Sequence, residues 1–78
     1  MASPISDEVT RALKRILRDC RSQSYFDGQG WTTDPMSARV FHDEIEAVRA
    51  CVEHDLADVE LVLRFEVDGV DVFSTKVR

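Results

Sequence analysis

Residues 58–77, DVELVLRFEVDGVDVFSTKV, decide the fold of this chain of 78 residues. Apolar and polar side chains alternate up to Asp68 and Gly69 and alternate again after them, a pattern typical of a β-hairpin. A three-residue loop over 67–69, with Gly69 in the left-handed region as a G1 bulge, pairs the strands better than a two-residue turn, because the shorter turn sets Glu66 opposite Asp71. The sequence therefore predicts a hairpin around which the sheet is built.

The three-residue loop also predicts which side chains face each other across the hairpin. The expected pairs are Leu63 with Phe73, Val59 with Val77, and Glu60 with Lys76. One face of the hairpin is then apolar and predicted to be buried, and it carries Val59, Leu61, Leu63, Phe65, Phe73 and Val77. The opposite face carries charged residues but also Val62, Val70 and Val72, so we expect the first helix or a partner to cover it.

The first third of the chain shows helical spacing. Apolar residues recur at Val9, Leu13, Ile16 and Leu17, with Cys20 beyond them, which predicts an amphipathic helix over 5–21. Its predicted outer face is basic and carries Arg11, Lys14, Arg15 and Arg18.

The segment 25–41 predicts short strands. Tyr25–Phe26 and Trp31–Thr32 flank a glycine-containing loop, which indicates two short paired strands. Asp34 and Pro35 are suited to cap and begin one helical turn over 35–38. Residues 39–41 are predicted to return as a third short strand.

A second helix is predicted over 43–54, beginning at Asp43. A helical wheel at about 100° per residue places Ile45, Val48, Cys51 and Val52 on one side, predicted to be buried. The chain thus reads as one α+β domain over 1–78, in the order α-β-β-(β)-α-β-β. We expect a small antiparallel sheet with two helices on one face.

The middle of the chain carries a recognisable pattern. A W-T…A-x-x-F…E-A segment is formed by Trp31–Thr32, Asp34, Ala38, Phe41 and Glu46–Ala47. This segment resembles one found in short bacterial proteins with no assigned function. The resemblance implies a ββα unit and implies no activity.

Charge is distributed unevenly along the chain, whose net charge is −5. Residues 7–21 hold five basic and three acidic side chains, a balance of +2, whereas residues 22–75 hold twelve acidic and three basic ones, a balance of −9. An acidic balance argues against direct nucleic-acid binding. No run approaches the roughly 18 apolar residues of a membrane span, and the N-terminus lacks the apolar stretch of a signal peptide, so we expect a cytoplasmic protein without membrane partners.

No motif predicts catalysis, a cofactor or a metal site. Cys51 and His54 have ligand-like spacing, but a structural zinc site needs a second such pair, so none is expected. Gly28 and Gly30 lead into Trp31 rather than a helix, which indicates a turn and not a phosphate loop. Cys20 and Cys51 fall on apolar stripes, as small buried side chains do, although a disulfide between them stays open.

The acidic side chains carry the functional prediction. Spaced carboxylates can occupy a basic surface of another protein, for example one that binds nucleic acid, by imitating a phosphate backbone. In size and acidity the chain is similar to some phage-encoded inhibitors, including anti-CRISPR proteins. A homodimeric adaptor or structural protein is the alternative, and a small enzyme with acid–base carboxylates is the third option. The predicted partner-binding residues are Glu46, Glu53, Asp55, Asp58, Glu60 and Glu66.

Overall fold

A computed structural model of the chain describes residues 13–66 and 69–78. The strands are β1 (Leu13–Asp19), β2 (Tyr25–Phe26), β3 (Trp31–Thr32), β4 (Val59–Phe65) and β5 (Asp71–Lys76). A 3₁₀ turn spans Pro35–Ser37 and the helix α1 spans Glu44–Glu53. All strand pairs are antiparallel, in the order β3-β2-β1-β4-β5. The described residues thus form an α+β fold with one five-stranded sheet and one α-helix.

The predicted helix over 5–21 is wrong for residues 13–19, which form the central strand β1. β1 pairs along its whole length with β4, and Leu17 lies opposite Leu61. Ile16 and Leu17 are neighbours on opposite faces, and both are fully buried. A strand that is buried on both faces does not alternate strictly between apolar and polar residues. The spacing of its apolar residues can then match that of a helix. The predicted residues 5–12 lie outside the described part of the chain.

The predicted basic face also divides between the two sides of β1. Arg15 lies on the side that carries α1, where its Nε is 3.5 Å from the Glu44 carboxylate. Lys14 and Arg18 lie on the other side, because they pair with Arg64 and Glu60 across β4. Arg11 lies outside the described residues.

The sheet has one large and one small apolar cluster. The large cluster lies between the sheet and α1, and Val77 packs against it. Its buried members are Leu17, Phe26, Phe41, Ala47, Ala50, Cys51, Leu56, Val59 and Leu61. On the opposite face, Ile16 and Val62 pack with Ala38 and Tyr25 next to the 3₁₀ turn. Ala38, directly after the 3₁₀ turn, therefore covers part of that second face.

Local predictions in the middle of the chain are largely confirmed. The strands at 25–26 and 31–32 form as expected, and Asp34 caps the 3₁₀ turn by accepting from the Met36 N–H at 3.0 Å. The third short strand over 39–41 is reduced to one bridge, between Phe41 and Arg15. Phe41 thus pairs with β1 at Arg15 through a single bridge instead of a strand.

The hairpin forms with the predicted outer register, since Glu60 pairs with Lys76 and Leu63 with Phe73. Gly69 has the predicted positive φ of 69°. A shift by one residue after Leu63 sets Arg64 opposite Asp71. The Phe65 N–H then donates to the Val70 carbonyl at 2.9 Å, so Val70 pairs with Phe65, whereas the predicted loop over 67–69 would have set Val70 opposite Glu66.

The predicted buried face of the hairpin is only partly covered. Val59 and Leu61 are buried under α1, whereas Phe73 is 54% exposed and Leu63 and Phe65 are half-buried. The helix spans ten residues, and its packing contacts in the large cluster reach Val59 and Leu61 but not the loop end of the hairpin. An apolar area therefore stays open beyond α1.

Candidate protein-binding surface

α1 is fixed at both ends by local hydrogen bonds. At its start, the Asp43 side chain accepts from the Glu46 N–H at 2.8 Å, which satisfies one of the donors left free in the first turn. At its end, the Leu56 N–H donates to the Cys51 carbonyl at 2.8 Å, and Asp55 adopts a positive φ of 51°. The chain then turns sharply into β4, so the helix has a defined length and position.

Small residues seat α1 on the sheet. Ala47, Ala50 and Cys51 are spaced i, i+3 and i+4, and each is at most 3% exposed. Their short side chains allow the helix backbone to approach Leu17 and Phe41 closely. Burial raises the pKa of the Cys51 thiol, so its reactivity is low. Both cysteines are free.

The large aliphatic side chains of α1 point away from the sheet, which makes the predicted buried face wrong for most of its members. Ile45 is 70% exposed, Val48 42% and Val52 66%, and only Cys51 of the predicted set is buried. We call Ile45, Val48 and Val52 the helix ridge. Hydrophobic spacing located the helix correctly, but it favoured the larger side chains for the core. The stripe of small residues was the signal for the inward face.

Charged side chains flank the helix ridge. At about 100° per residue, Glu44 lies on one flank of the ridge, and the other flank carries Arg49 next to the ridge, followed by Glu53 and Glu46. Glu44 contacts Arg15 at 3.5 Å and Glu46 contacts Arg39 at 3.8 Å. Within the described residues Glu53 forms no ion pair. Arg49 joins Glu44, Ile45 and Val48 in lining a shallow depression on the ridge.

Four of the predicted partner-binding acids are already paired within the chain, and Glu46, which contacts Arg39, is one of them. Asp55 lies 3.4 Å from Arg78, and Asp58 lies 3.2 Å from both Arg21 and Lys76. Glu60 lies 3.1 Å from Arg18 on the sheet face opposite α1, and its side chain is 16% exposed. Glu66 is exposed at the end of the hairpin. The six acids therefore do not form one surface, and only Glu46, Glu53 and Asp55 lie on or beside α1.

An ionic network occupies the face of the sheet opposite α1. Arg18 donates to Glu60 at 3.1 Å and to Asp71 at 2.8 Å. Burial disfavours the charged Arg18 guanidinium, but the bonds and charges of the two carboxylates outweigh that effect and raise its pKa above the ordinary arginine value. Arg64 approaches the same Asp71 carboxylate at 3.8 Å. Sequence reasoning missed this network because it depends on pairing β1 as a strand.

No protein-family model, curated protein or solved structure matches this chain. Among the residues that the structure describes, no helix has the length and apolar character needed to cross a membrane.

Proposed function

We propose that this protein is a small acidic protein-binding module that presents α1 to a macromolecular partner. The observation that carries the proposal is the outward orientation of Ile45, Val48 and Val52. Their spacing of i, i+3 and i+7 matches the anchors by which an amphipathic helix enters an apolar groove. Exposed aliphatic side chains in one row are characteristic of interaction surfaces, whereas isolated ones are common on any protein.

Charge defines the class of partner. The chain has a net charge of −5, and three carboxylates surround the ridge against one basic side chain: Glu44 on one flank, and Arg49 followed by Glu53 and Glu46 on the other. An apolar groove rimmed by basic side chains, as on a protein that handles nucleic acid, would complement this arrangement. A second copy of the chain would bring the same negative charge to the ridge. We therefore propose a basic partner, occluded by α1.

Asp58 and Glu60 have a structural role in this proposal and do not contact the partner. Asp58 and Glu60 stabilise the sheet through Arg21, Lys76 and Arg18, and breaking those pairs to contact a partner would sacrifice intramolecular contacts. We expect two other acids to contact the partner: Glu53, which forms no ion pair among the described residues, and Glu46, whose contact with Arg39 is long at 3.8 Å. Their contribution supplies steering and specificity, and the helix ridge supplies most of the affinity.

The test compares two variants with a matched control. Ile45→Ser/Val52→Ser removes the ridge, and Glu46→Lys/Glu53→Lys reverses its acidic flank. Val40→Ser is the control, because Val40 is 53% exposed and lies outside α1. Proteins captured from the source cell by immobilised wild-type chain are purified, and their binding to each variant is measured by titration calorimetry.

We expect the ridge variant to weaken binding by about a hundredfold, since hot-spot side chains each contribute about 1–2 kcal/mol or more. The charge-reversed variant should bind more weakly at low salt and lose that difference at high salt. The control should bind like wild type. Unchanged affinity of the ridge variant would refute the proposal, and unchanged affinity of the charge-reversed variant would refute a basic partner.

A further inference from the structure

The strand β5 is exposed to solvent along its whole length. It lies at one edge, and all six of its residues are exposed. Among the described residues, β4 is the one strand that pairs with it. Phe73 is 54% exposed and Val72 50%. An edge strand with exposed apolar side chains is suited to accept another strand.

Hydrogen bonds on the inner side of β5 identify the backbone groups on its free edge. The Val77 N–H donates to the Val59 carbonyl at 3.1 Å. Residues in an antiparallel ladder alternate between hydrogen-bonded and non-bonded pairs. Phe73 and Thr75 therefore direct their N–H and C=O groups towards β4. The corresponding groups of Ser74 and Lys76 point away from the sheet.

Charge favours one kind of incoming strand. Asp71 and Lys76 stand at opposite ends of β5, and both lie on the face opposite α1 because they pair with Arg64 and Glu60. Within the chain Asp71 contacts Arg18 at 2.8 Å and Lys76 contacts Asp58 at 3.2 Å, and both side chains stay partly exposed. A second β5 running antiparallel brings the exposed part of each Asp71 close to the Lys76 of the other copy. A parallel copy would instead place like charges together, which is unfavourable.

We propose that β5 is a homodimerisation edge, to which a second copy of the chain adds its own β5 antiparallel and centred on Ser74. This register uses the free groups of Ser74 and Lys76, and it sets Phe73 beside Thr75 of the other copy. Residues 73–75 around this centre lie beyond the bulge that follows Leu63 in the pairing, and Lys76 faces Val72 of the other copy.

The proposed dimer has a consequence for the helix ridge. The two-fold axis of such an antiparallel pair is perpendicular to the sheet, so both copies of α1 lie on the same side of one continuous sheet. Two ridges on one side can engage two sites on one partner, which strengthens binding without any new contact. The dimer does not depend on the proposed function, because it uses a different surface.

A proline at position 74 provides the main test. Ser74→Pro removes the outward N–H and leaves the hydrogen bonds to β4 intact, and Ser74→Ala is the matched control. Sedimentation equilibrium is run from about 1 μM to about 1 mM chain. We expect the wild-type mass to rise from 8.9 kDa towards twice that value, with dimerisation about tenfold weaker or more in Ser74→Pro because two intermolecular backbone bonds are lost.

Two results would overturn the proposal: a wild-type mass that stays at 8.9 kDa across this range, or a folded Ser74→Pro variant that dimerises like wild type. If circular dichroism shows that Ser74→Pro is unfolded, amide hydrogen exchange of the wild-type chain decides. Exchange of the Ser74 and Lys76 amides should slow at high chain concentration if β5 pairs. Equal rates at low and high concentration would overturn the proposal.

Discussion

Arg64 and Tyr25 are joined across the central strand, because the Arg64 Nη1 donates to the Tyr25 phenol oxygen at 3.1 Å. Arg64 belongs to β4 and Tyr25 to β2, and β1 runs between them. The guanidinium carbon also lies 5.5 Å from the centre of the Tyr25 ring. This contact ties both neighbours of β1 together on the face that α1 does not cover.

Removing the phenol oxygen should destabilise the protein measurably. Tyr25→Phe keeps the ring beneath Arg64 but leaves the Nη1 donor without this acceptor on a residue that is only 9% exposed. We expect the free energy of unfolding to fall by about 1–2 kcal/mol. Urea denaturation followed by circular dichroism measures the change. A loss below about 0.3 kcal/mol would show that water replaces the phenol at no cost.

The orientation of α1 predicts that substitutions on its inward side destabilise the protein much more than substitutions on its outward side. Ala50→Leu inserts a large side chain between helix and sheet and should destabilise the fold by about 1–3 kcal/mol. Val52→Ser changes a residue that is 66% exposed and should alter stability by about 0.5 kcal/mol or less. Thermal unfolding of both variants tests the prediction. If Val52→Ser were the more damaging change, α1 would have to be rotated from the orientation described.

The turn between β2 and β3 predicts a pH dependence. The Asp27 carboxylate accepts from the Gly30 N–H at 2.8 Å and the Gln29 N–H at 2.9 Å, and these bonds lower its pKa. The folded-state pKa of Asp27 lies below its unfolded-state pKa of about 3.9, so the ionised carboxylate stabilises the fold at pH values above about 3.9. This stabilisation is lost as the pH falls through the folded-state pKa.

Replacement by an amide isolates that contribution. Asp27→Asn keeps an oxygen acceptor without the charge, so wild type should exceed the variant in stability at neutral pH and lose this excess in acid. Urea denaturation from about pH 7 to about pH 2 measures the difference. Gln29→Ala is the control, because it retains the backbone N–H and should leave the pH dependence as in wild type. A constant difference across this range would contradict the prediction.

The hairpin was predictable because its signals are local. Alternation, Asp68–Gly69 and the charge pair of Glu60 with Lys76 fix the outer register without reference to the rest of the fold. The shift after Leu63 was not predictable, since it depends on Arg64 meeting Asp71 and the Gly69 carbonyl. Asp71 also contacts Arg18 of β1, a strand outside the hairpin.

The first strand and the helix ridge show two further limits. Ile16 and Leu17 are buried on opposite faces of β1, and adjacent apolar residues fit a helix and a doubly covered strand equally well. In α1 the apolar spacing was sufficient to predict a helix but not to orient it. The side that is buried depends on how closely the helix packs on the sheet, and here close packing selects the small residues Ala47 and Ala50.

The hairpin loop gives a last prediction, because Gly69 is constrained in two ways. Its φ of 69° disfavours a side chain, and an added Cβ would lie 2.8 Å from the Arg64 Nη2, which donates to the Gly69 carbonyl. Gly69→Ala should therefore destabilise the protein by about 1 kcal/mol from the backbone alone, and further by displacing Arg64.

A double-mutant cycle separates the two contributions. In an Arg64→Met background the contact with the guanidinium is absent, so Gly69→Ala should cost only the backbone part, about 1 kcal/mol. Gly30→Ala is the control, because an added Cβ there meets nothing within 4 Å. Urea denaturation of the four chains gives the coupling energy. A coupling energy near zero would mean that Arg64 moves aside freely and does not hold the loop through Gly69.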